Sequence, residues 1–306
     1  MRTSDLEAAN AKAISAARSS RGALGPKTVH NRALHHARRD HPYFGFVDVR
    51  AGGSDVVMFS NNDDIVAQTY FWFGPDAYEE ASLNLFAAFA ASASVVLDVG
   101  AFTGLYSLVA ASVSRTARIV AFEPSRATWE RAKINAVANK FGKRIDLRDK
   151  ALGSRRDVAE LKHYRPSLVL QAGASLVDKA NKEVFSTEYI AVVKASEELA
   201  ELPPIDLVKI DVEGFEADLV EELEGRIVTD RPVIVIEIEP SNIDRCTNFF
   251  GRIGYVLEQV DDLRNAVRTR TYTADAVMNY VAYPQERLSA VRDQMRRTGL
   301  KVEGDA

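Results

Sequence analysis

Short apolar runs alternate with helical patterns from about residue 95 to residue 240, and this alternation constrains the fold more than any other feature. The runs VVLDV at 95–99 and PVIVIEI at 232–238 are almost continuously apolar, which suits strands buried on both faces of a parallel sheet. Two later apolar runs, at 254–260 and 277–283, predict an antiparallel pair at the sheet edge. The pattern therefore predicts an α/β fold with a doubly wound sheet.

The segments that flank this region differ from it in composition. Residues 1–40 contain eight Lys and Arg against three Asp and Glu, and we expect one or two basic helices there, packed outside the core. Apolar alternation at 43–49 and 56–59 predicts a hairpin, and the aromatic run at 66–73 predicts a third strand or an aromatic edge. We divide the chain into a basic helical extension (1–41), a β-rich segment (42–78), the α/β domain (79–285) and a helical tail (286–306).

Composition and charge argue against several classes of function. The formal net charge of −4 gives no support for non-specific nucleic-acid binding. Cys246 is the only cysteine, so the sequence offers neither a disulfide framework nor a cysteine-based zinc site. No secretory signal or membrane-spanning stretch is visible, and we expect a soluble, cytoplasmic protein that spans no membrane.

The first strand of the alternating region runs directly into a glycine-containing turn, VVLDVGAFTGL at 95–105. Asp98 lies near the carboxyl end of that strand, where doubly wound sheets bind ligands, and Gly100 and Gly104 permit a tight turn and close backbone approach. The spacing D-x-G-x-x-x-G differs from the G-x-G-x-x-G fingerprint of dinucleotide sites. An aspartate before the glycines suits a cationic ligand such as S-adenosylmethionine, although an ordinary βα loop could show the same pattern.

Two further strand ends complete the predicted cofactor site. Glu123 follows the second strand in VAFEP, where a carboxylate can bind the two hydroxyls of a ribose. The third strand ends in RDKALG at 148–153, a polar loop that could contact the adenine. The predicted cofactor-binding residues are Asp98, Gly100, Ala101, Gly104, Glu123, Pro124, Asp149, Ala151 and Asp211.

A second cluster of charged residues includes the motif IDLVKIDVEGFE at 205–216. Lys209 and Asp211 share one face of its strand, and Glu237 and Glu239 share a face of VIVIEIEP, so the four converge if the strands are neighbours. A carboxylate there could accept the proton of an alcohol nucleophile, but a structural ion pair explains Lys209 and Glu237 equally well. The predicted catalytic residues are Lys209, Asp211, Glu213 and Glu237.

The acids of these motifs are also compatible with structural or metal-binding roles. Acids are common in the first turn of a helix, which favours a structural role for Glu216 in particular. Several carboxylates at one place could also bind a divalent cation through oxygen ligands. Their spacing does not require a metal, and we predict no metal ligands.

The motifs together resemble the FkbM family of S-adenosylmethionine-dependent methyltransferases. The resemblance covers roughly residues 74–283, and KIDVEGFE at 209–216 is its most specific part. It implies a Rossmann-like, seven-stranded class I methyltransferase sheet with the cofactor over the glycine turn and Glu123. It also implies that Asp211 and Glu213 face cofactor and acceptor. The segment KASEELAEL before the motif departs from the leucine-aspartate-aspartate run that such proteins often show.

The resemblance implies methylation of a hydroxyl on a sugar, a glycan or a secondary metabolite. Expected partners are therefore a small-molecule or glycan substrate, with no nucleic acid. Two alternatives remain: a methyltransferase-like binding or scaffold protein without turnover, and an N-methyltransferase of a small molecule. NAD-dependent oxidoreduction is disfavoured by the glycine spacing.

Overall fold

The computed structural model of the protein describes residues 3–21, 30–164, 170, 183–268 and 278–303. The helices are α1 (Thr3–Ser20), α2 (His30–Asp40), α3 (Ile65–Phe73), α4 (Glu80–Ala90), α5 (Leu105–Val113), α6 (Arg126–Ala138), α7 (Ala195–Glu198), α8 (Glu216–Glu222), α9 (Glu224–Asp230), α10 (Ile243–Arg252) and α11 (Leu288–Arg297). The strands are β1 (Phe44–Ala51), β2 (Ser54–Asn61), β3 (Val95–Val99), β4 (Arg118–Phe122), β5 (Ile145–Arg148), β6 (Ala151–Gly153), β7 (Asp157–His163), β8 (Ser186–Lys194), β9 (Leu207–Ile210), β10 (Val233–Glu237), β11 (Tyr255–Asp261), β12 (Ala266–Arg268), β13 (Asn279–Pro284) and β14 (Lys301–Val302).

The central sheet has the order β14-β12-β11-β13-β10-β9-β3-β4-β5. Strands β3, β4, β5, β9 and β10 are parallel, and β13 runs antiparallel to both β10 and β11. The seven strands from β11 to β5 form the predicted sheet, including its antiparallel edge pair. Two short strands, β12 and β14, extend that edge beyond the seven.

The order of strands reverses between β3 and β9. From β3 the chain continues outward to β4 and β5, whereas β9 and β10 lie on its other side. Crossover connections then leave in opposite directions and open a crevice at the carboxyl ends of these strands. Both sequence motifs, the glycine turn after β3 and KIDVEGFE at the end of β9, lie at this crevice.

Side chains of the central strands alternate between two apolar layers. Val96 belongs to a buried cluster with α4 and α5, whereas Leu97 belongs to a cluster on the opposite face with α8 and α10. Register places Asp98 beside Lys209, and Lys209 beside Val235, so both charged residues lie on the α4 and α5 face. This alternation decides which polar side chains lie on the same face of the sheet and can therefore contact one another.

The region before the central sheet differs from its prediction in two respects. The hairpin of β1 and β2 forms as expected. Residues 66–73, predicted as a strand or aromatic edge, are instead helix α3, because the Asp64 carboxylate accepts hydrogen bonds from the amides of Val66 and Ala67 and caps the helix. Helix α1 was expected outside the core, but Ala13 and Ala17 are buried in the same cluster as the sheet.

A separate three-stranded sheet of order β6-β8-β7 lies beside the central sheet. The sequence patterns did not predict it. Strand β6 pairs in parallel with β8, and β7 pairs with β8 in antiparallel register. None of the described helices is long and apolar enough to cross a bilayer.

Candidate active site

A cavity of about 280 Å³ opens at the carboxyl edge of the sheet, at the switch point. The described residues that line it are Tyr78, Glu79, Val99, Gly100, Phe102, Phe122, Glu123, Pro124, Ser125, Lys150, Ala151, Leu152, Leu161, Asp211, Val212, Glu213, Phe215 and Glu237. Seven of these belong to the predicted cofactor and catalytic sets: Gly100, Glu123, Pro124, Ala151, Asp211, Glu213 and Glu237. The strand ends therefore do converge. The predicted residues Asp98, Ala101, Gly104, Asp149 and Lys209 are not among the described lining residues.

The glycine turn packs directly against the second motif. Gly100 has a φ of +82°, and a β-carbon at this position would overlap the carbonyl oxygen of Asp211. The amides of Gly100 and Ala101 both donate to the Phe122 carbonyl at 2.9 Å, and the Asp211 amide donates to the Val99 carbonyl at 2.9 Å. Only glycine fits here, because the backbone must turn with positive φ and the next strand end lies against it.

Glu123 is a buried carboxylate on the wall of the cavity. Its Oε1 accepts hydrogen bonds from the Ser125 amide at 2.9 Å and the Thr128 hydroxyl at 2.7 Å. Its Oε2 accepts one from the Phe102 amide at 2.8 Å. Burial raises the pKa of Glu123 to about 7. Since a carboxylate offers about four acceptor positions, Oε2 keeps capacity for a ligand hydroxyl.

Asp98 faces the protein interior. It is 1% exposed, and its Oδ2 accepts a hydrogen bond from the Ser107 hydroxyl at 2.6 Å. Burial raises the pKa of Asp98 to about 6. Its register partner is Lys209, so Asp98 lies behind the cavity, and its charge is one of those that raise the pKa of Lys209.

Lys209 stands among carboxylates on the α4 and α5 face. Its Nζ lies 3.4 Å from Asp211 Oδ2 and 4.9 Å from the centre of the Tyr106 ring. Burial by itself would lower the pKa of Lys209, but the charges of Asp211, Glu79 and Glu237 around it raise that pKa overall. Lys209 is therefore held as a cation, as an ion-pair interpretation requires.

Glu237 ends β10 on the same face and reaches the cavity. The negative charge of Asp211, followed by burial, raises the pKa of Glu237 to about 9. Glu237 therefore holds its proton at neutral pH. The predicted convergence holds for Lys209, Asp211 and Glu237. Glu239 lies instead beside Glu216, whose Oε2 accepts a hydrogen bond from the Glu239 amide.

The loop after β9 is held by side chains of its own motif. Glu213 has a φ of 51° and Gly214 a φ of 105°. The Gly214 amide donates to Glu216 Oε1 at 2.6 Å, and Asn242 Nδ2 donates to Glu216 Oε2 at 2.7 Å and to the Gly214 carbonyl at 2.9 Å. Glu216 thus fixes the loop that presents Glu213 and Asp211 to the cavity.

Some residues of the loop after β5 line the cavity, and others lie at the surface. Ala151 lines the cavity, but the half-exposed Asp149 lies 3.9 Å from the Arg126 guanidinium. The small sheet supports the same wall, because Glu188 on β8 accepts hydrogen bonds from the Ser125 hydroxyl and the Arg126 amide, each at 2.9 Å. Sequence reasoning missed Glu188, since the sheet that carries it was not predicted.

Tyr78 and Glu79 line the cavity and were not predicted as site residues. Glu79 Oε2 accepts a hydrogen bond from the Tyr106 hydroxyl at 2.7 Å. Burial raises the pKa of Glu79 to about 7 and that of Tyr78 well above its ordinary value. In the sequence, the acids of DAYEE are typical of a helix start, and nothing marks Glu79 apart from Glu80.

The carboxylates do not form a recognisable metal centre. Within the described part of the chain, no group of three or more His, Cys, Asp or Glu side chains is arranged to hold a metal ion. The expectation of no metal ligands stays a prediction.

The central sheet has the strand order and the antiparallel edge pair expected of a Rossmann-like class I methyltransferase. The family described as "Methyltransferase FkbM domain" matches residues 98–273, more than half of the chain, and the chain belongs to this family. The family resemblance is thereby confirmed, and with it S-adenosylmethionine as the cofactor. None of the curated proteins compared with the chain matches it.

Several solved structures are similar in fold. The methyltransferase FkbM from Methylobacillus flagellatus KT is 15% identical, with 71% of this chain and 54% of that chain covered and a TM-score of 0.43. The precorrin-6y C5,15-methyltransferase from Geobacter metallireducens GS-15 is 16% identical, with 67% and 88% covered and a TM-score of 0.40. The O-methyltransferase from Bacillus cereus in complex with SAH is 13% identical, with 67% and 78% covered and a TM-score of 0.38. At these identities and scores, no residue role passes from those proteins to this one.

Proposed function

We propose that the protein transfers the methyl group of S-adenosylmethionine to a hydroxyl of a sugar, glycan or secondary metabolite. The observation that carries this proposal is the charge around the switch-point cavity: among the residues that the structure describes there, carboxylates outnumber cations. Glu79, Asp211 and Glu237 line the cavity, and Asp98 lies behind it. Lys209 is the cation buried among them.

The adenosyl half of the cofactor fits the side of the cavity formed by β3, β4 and the loop after β5. Gly100 brings backbone to the cavity wall without a side chain, and Phe122, Ala151 and Leu152 supply apolar surface. Glu123 Oε2 retains acceptor capacity for a ribose hydroxyl. These features support cofactor contacts for Gly100, Glu123, Pro124 and Ala151. The roles predicted for Ala101, Gly104 and Asp149 have no support from the cavity lining.

The charge on the other side of the cavity fits the cationic half of the cofactor. Buried carboxylates are unfavourable as anions: burial raises the pKa values of Glu79 and Asp98, and the charge of Asp211 together with burial raises that of Glu237. A sulfonium and an ammonium nearby would offset this charge. S-adenosylmethionine carries both groups, and when bound it supplies an electrophilic methyl group.

Asp211 and Glu237 are the residues we assign to proton transfer from the acceptor. Both line the cavity, and they interact strongly enough that the charge of Asp211 is the main cause of the raised Glu237 pKa. A cation bound nearby lowers the pKa of Glu237 and leaves a carboxylate free to accept the hydroxyl proton. Lys209 lies behind the cavity as a positioning residue, and its positive charge offsets the negative charge of Asp211 and Glu237.

Methyl transfer can be tested with S-adenosylmethionine labelled in the methyl group and a panel of hydroxylated sugars, glycans and metabolites. We expect label in a base-stable ether of at least one acceptor, formed much more slowly by the Asp211→Asn variant. Label found in an amine would replace O-methylation by N-methylation. Cofactor binding without transfer to any acceptor of either kind would favour a binding protein without turnover.

A further inference from the structure

Glu79 occupies a backbone conformation that its residue type rarely adopts. At the residue before α4 its φ is 44° and its ψ is 47°, in the left-handed region that favours glycine. Its carbonyl accepts the Leu83 amide at 2.8 Å and so begins the helix. Strain of this kind persists where the surroundings fix it, and it is concentrated at functional sites.

The strained backbone delivers a carboxylate to the cavity. The Tyr106 hydroxyl, on the helix after the glycine turn, holds Glu79 Oε2 at 2.7 Å. The Tyr106 ring in turn lies 4.9 Å from Lys209 Nζ. Glu79 is therefore aimed by a side chain that also contacts the buried cation.

Glu79 lies on the wall of the cavity, where the sequence analysis expected Asp98. The sequence interpretation placed a cationic ligand group at Asp98, but Asp98 is 1% exposed, bonded to Ser107 and not among the described residues that line the cavity. Glu79 lies on the same side of the sheet, near Lys209 and Asp211, and does line the cavity.

We propose that Glu79 directly binds the ammonium group of S-adenosylmethionine, with Tyr106 as its positioning residue. The inference rests on the proposed function and assigns the amino-acid end of the cofactor within the same site. The charged groups around Glu79 are Lys209, Asp211, Asp262 and Glu237, three of them acids, so the surroundings favour an added cation. Asp98 contributes to the same field from behind Lys209.

The test is calorimetric titration of wild type and the Glu79→Gln variant with three probes. S-adenosylmethionine has the ammonium and the sulfonium, S-adenosylhomocysteine has the ammonium alone, and 5′-methylthioadenosine has neither. We expect Glu79→Gln to weaken binding of the first two at least tenfold, by similar factors, and to leave 5′-methylthioadenosine unchanged. A loss confined to S-adenosylmethionine, or no loss at all, overturns the assignment.

Two further variants separate this role from a general effect of charge or folding. Glu80→Gln removes the same charge one residue along, at a side chain that is not among the described cavity-lining residues, and we expect unchanged affinities. Tyr106→Phe keeps the Glu79 carboxylate but removes the hydrogen bond that Tyr106 donates to it, and we expect a smaller, parallel loss for the two ammonium ligands. If Glu79→Gln fails to fold, Tyr106→Phe decides the question. Failure of wild type to bind any adenosyl ligand would instead reject the proposed function.

Discussion

The backbone of Gly100 lies against the carbonyl group of Asp211, so closely that a β-carbon at position 100 would overlap the carbonyl oxygen. This contact joins the two motifs that identify the chain: the turn after β3 and the KIDVEGFE motif after β9. It explains why one requires a glycine and why the other presents its acids at the same cavity. The contact fixes the position of the Asp211 backbone relative to the turn after β3.

Gly100→Ala should abolish binding of the cofactor, because the added carbon must displace the Asp211 backbone. Gly53→Ala is a matched control: Gly53 also has a positive φ, +73°, but a β-carbon there meets nothing within 4 Å. The control should lose about 1–2 kcal/mol of unfolding free energy from left-handed strain alone. Denaturant unfolding and calorimetry check this, and equal behaviour of the two variants would show that the overlap has no consequence.

Asp211→Asn should leave affinity for S-adenosylmethionine nearly intact and reduce kcat by about 10²–10⁴-fold, the usual contribution of a positioned proton acceptor. Single-turnover methyl transfer at saturating cofactor gives the measurement. Asp218→Asn serves as the control, since Asp218 pairs with Arg245 at the surface of α8. Full activity of the Asp211 variant would remove Asp211 from the catalytic set.

Lys209→Met should destabilise the protein by about 3–5 kcal/mol at neutral pH, because it leaves several buried carboxylates without their cation. At mildly acidic pH the loss should be smaller, since those carboxylates can then be protonated. The exposed Lys143 provides the control variant Lys143→Met, which we expect to unfold like wild type. A loss that is small, or independent of pH, would contradict the ion-pair role of Lys209.

Stability without cofactor should fall as pH rises from about 4 to about 7. Burial raises the pKa values of Asp64 and Asp98 to about 6, and those of Glu79 and Glu123 to about 7. These values exceed the unfolded ones, so the folded state binds more protons in this window and unfolding becomes easier as they are lost. Urea unfolding across this pH range measures how the free energy of unfolding changes with pH. The Glu79→Gln and Asp98→Asn variants isolate the contribution of these two acids, because each variant should make the slope less steep than in wild type. Unchanged slopes in those variants would contradict the raised pKa values.

The convergence of the two motifs at one edge of the sheet could be predicted because strand ends are visible in the sequence. Asp98, Glu123 and Asp211 each follow or end an apolar run, and the carboxyl ends of parallel strands meet at one edge. Periodicity also indicated the shared face of Lys209 and Asp211. These inferences depend only on local patterns and on sheet geometry.

The remaining features depend on contacts that local patterns do not encode. The aromatic run 66–73 has strand propensity, but the cap provided by Asp64 and packing against the hairpin make it a helix. The left-handed backbone of Glu79 follows from its surroundings, as does the inward orientation of Asp98 toward Ser107. Glu188 reaches α6 only because the small sheet brings it there.

The most direct test of the central claim, that the switch-point cavity binds S-adenosylmethionine, is calorimetric titration of the wild-type protein with S-adenosylmethionine, S-adenosylhomocysteine and NAD. We expect binding of both adenosyl ligands in the micromolar range and no binding of NAD. Absence of binding by either adenosyl ligand, or binding of NAD in their place, would contradict this claim.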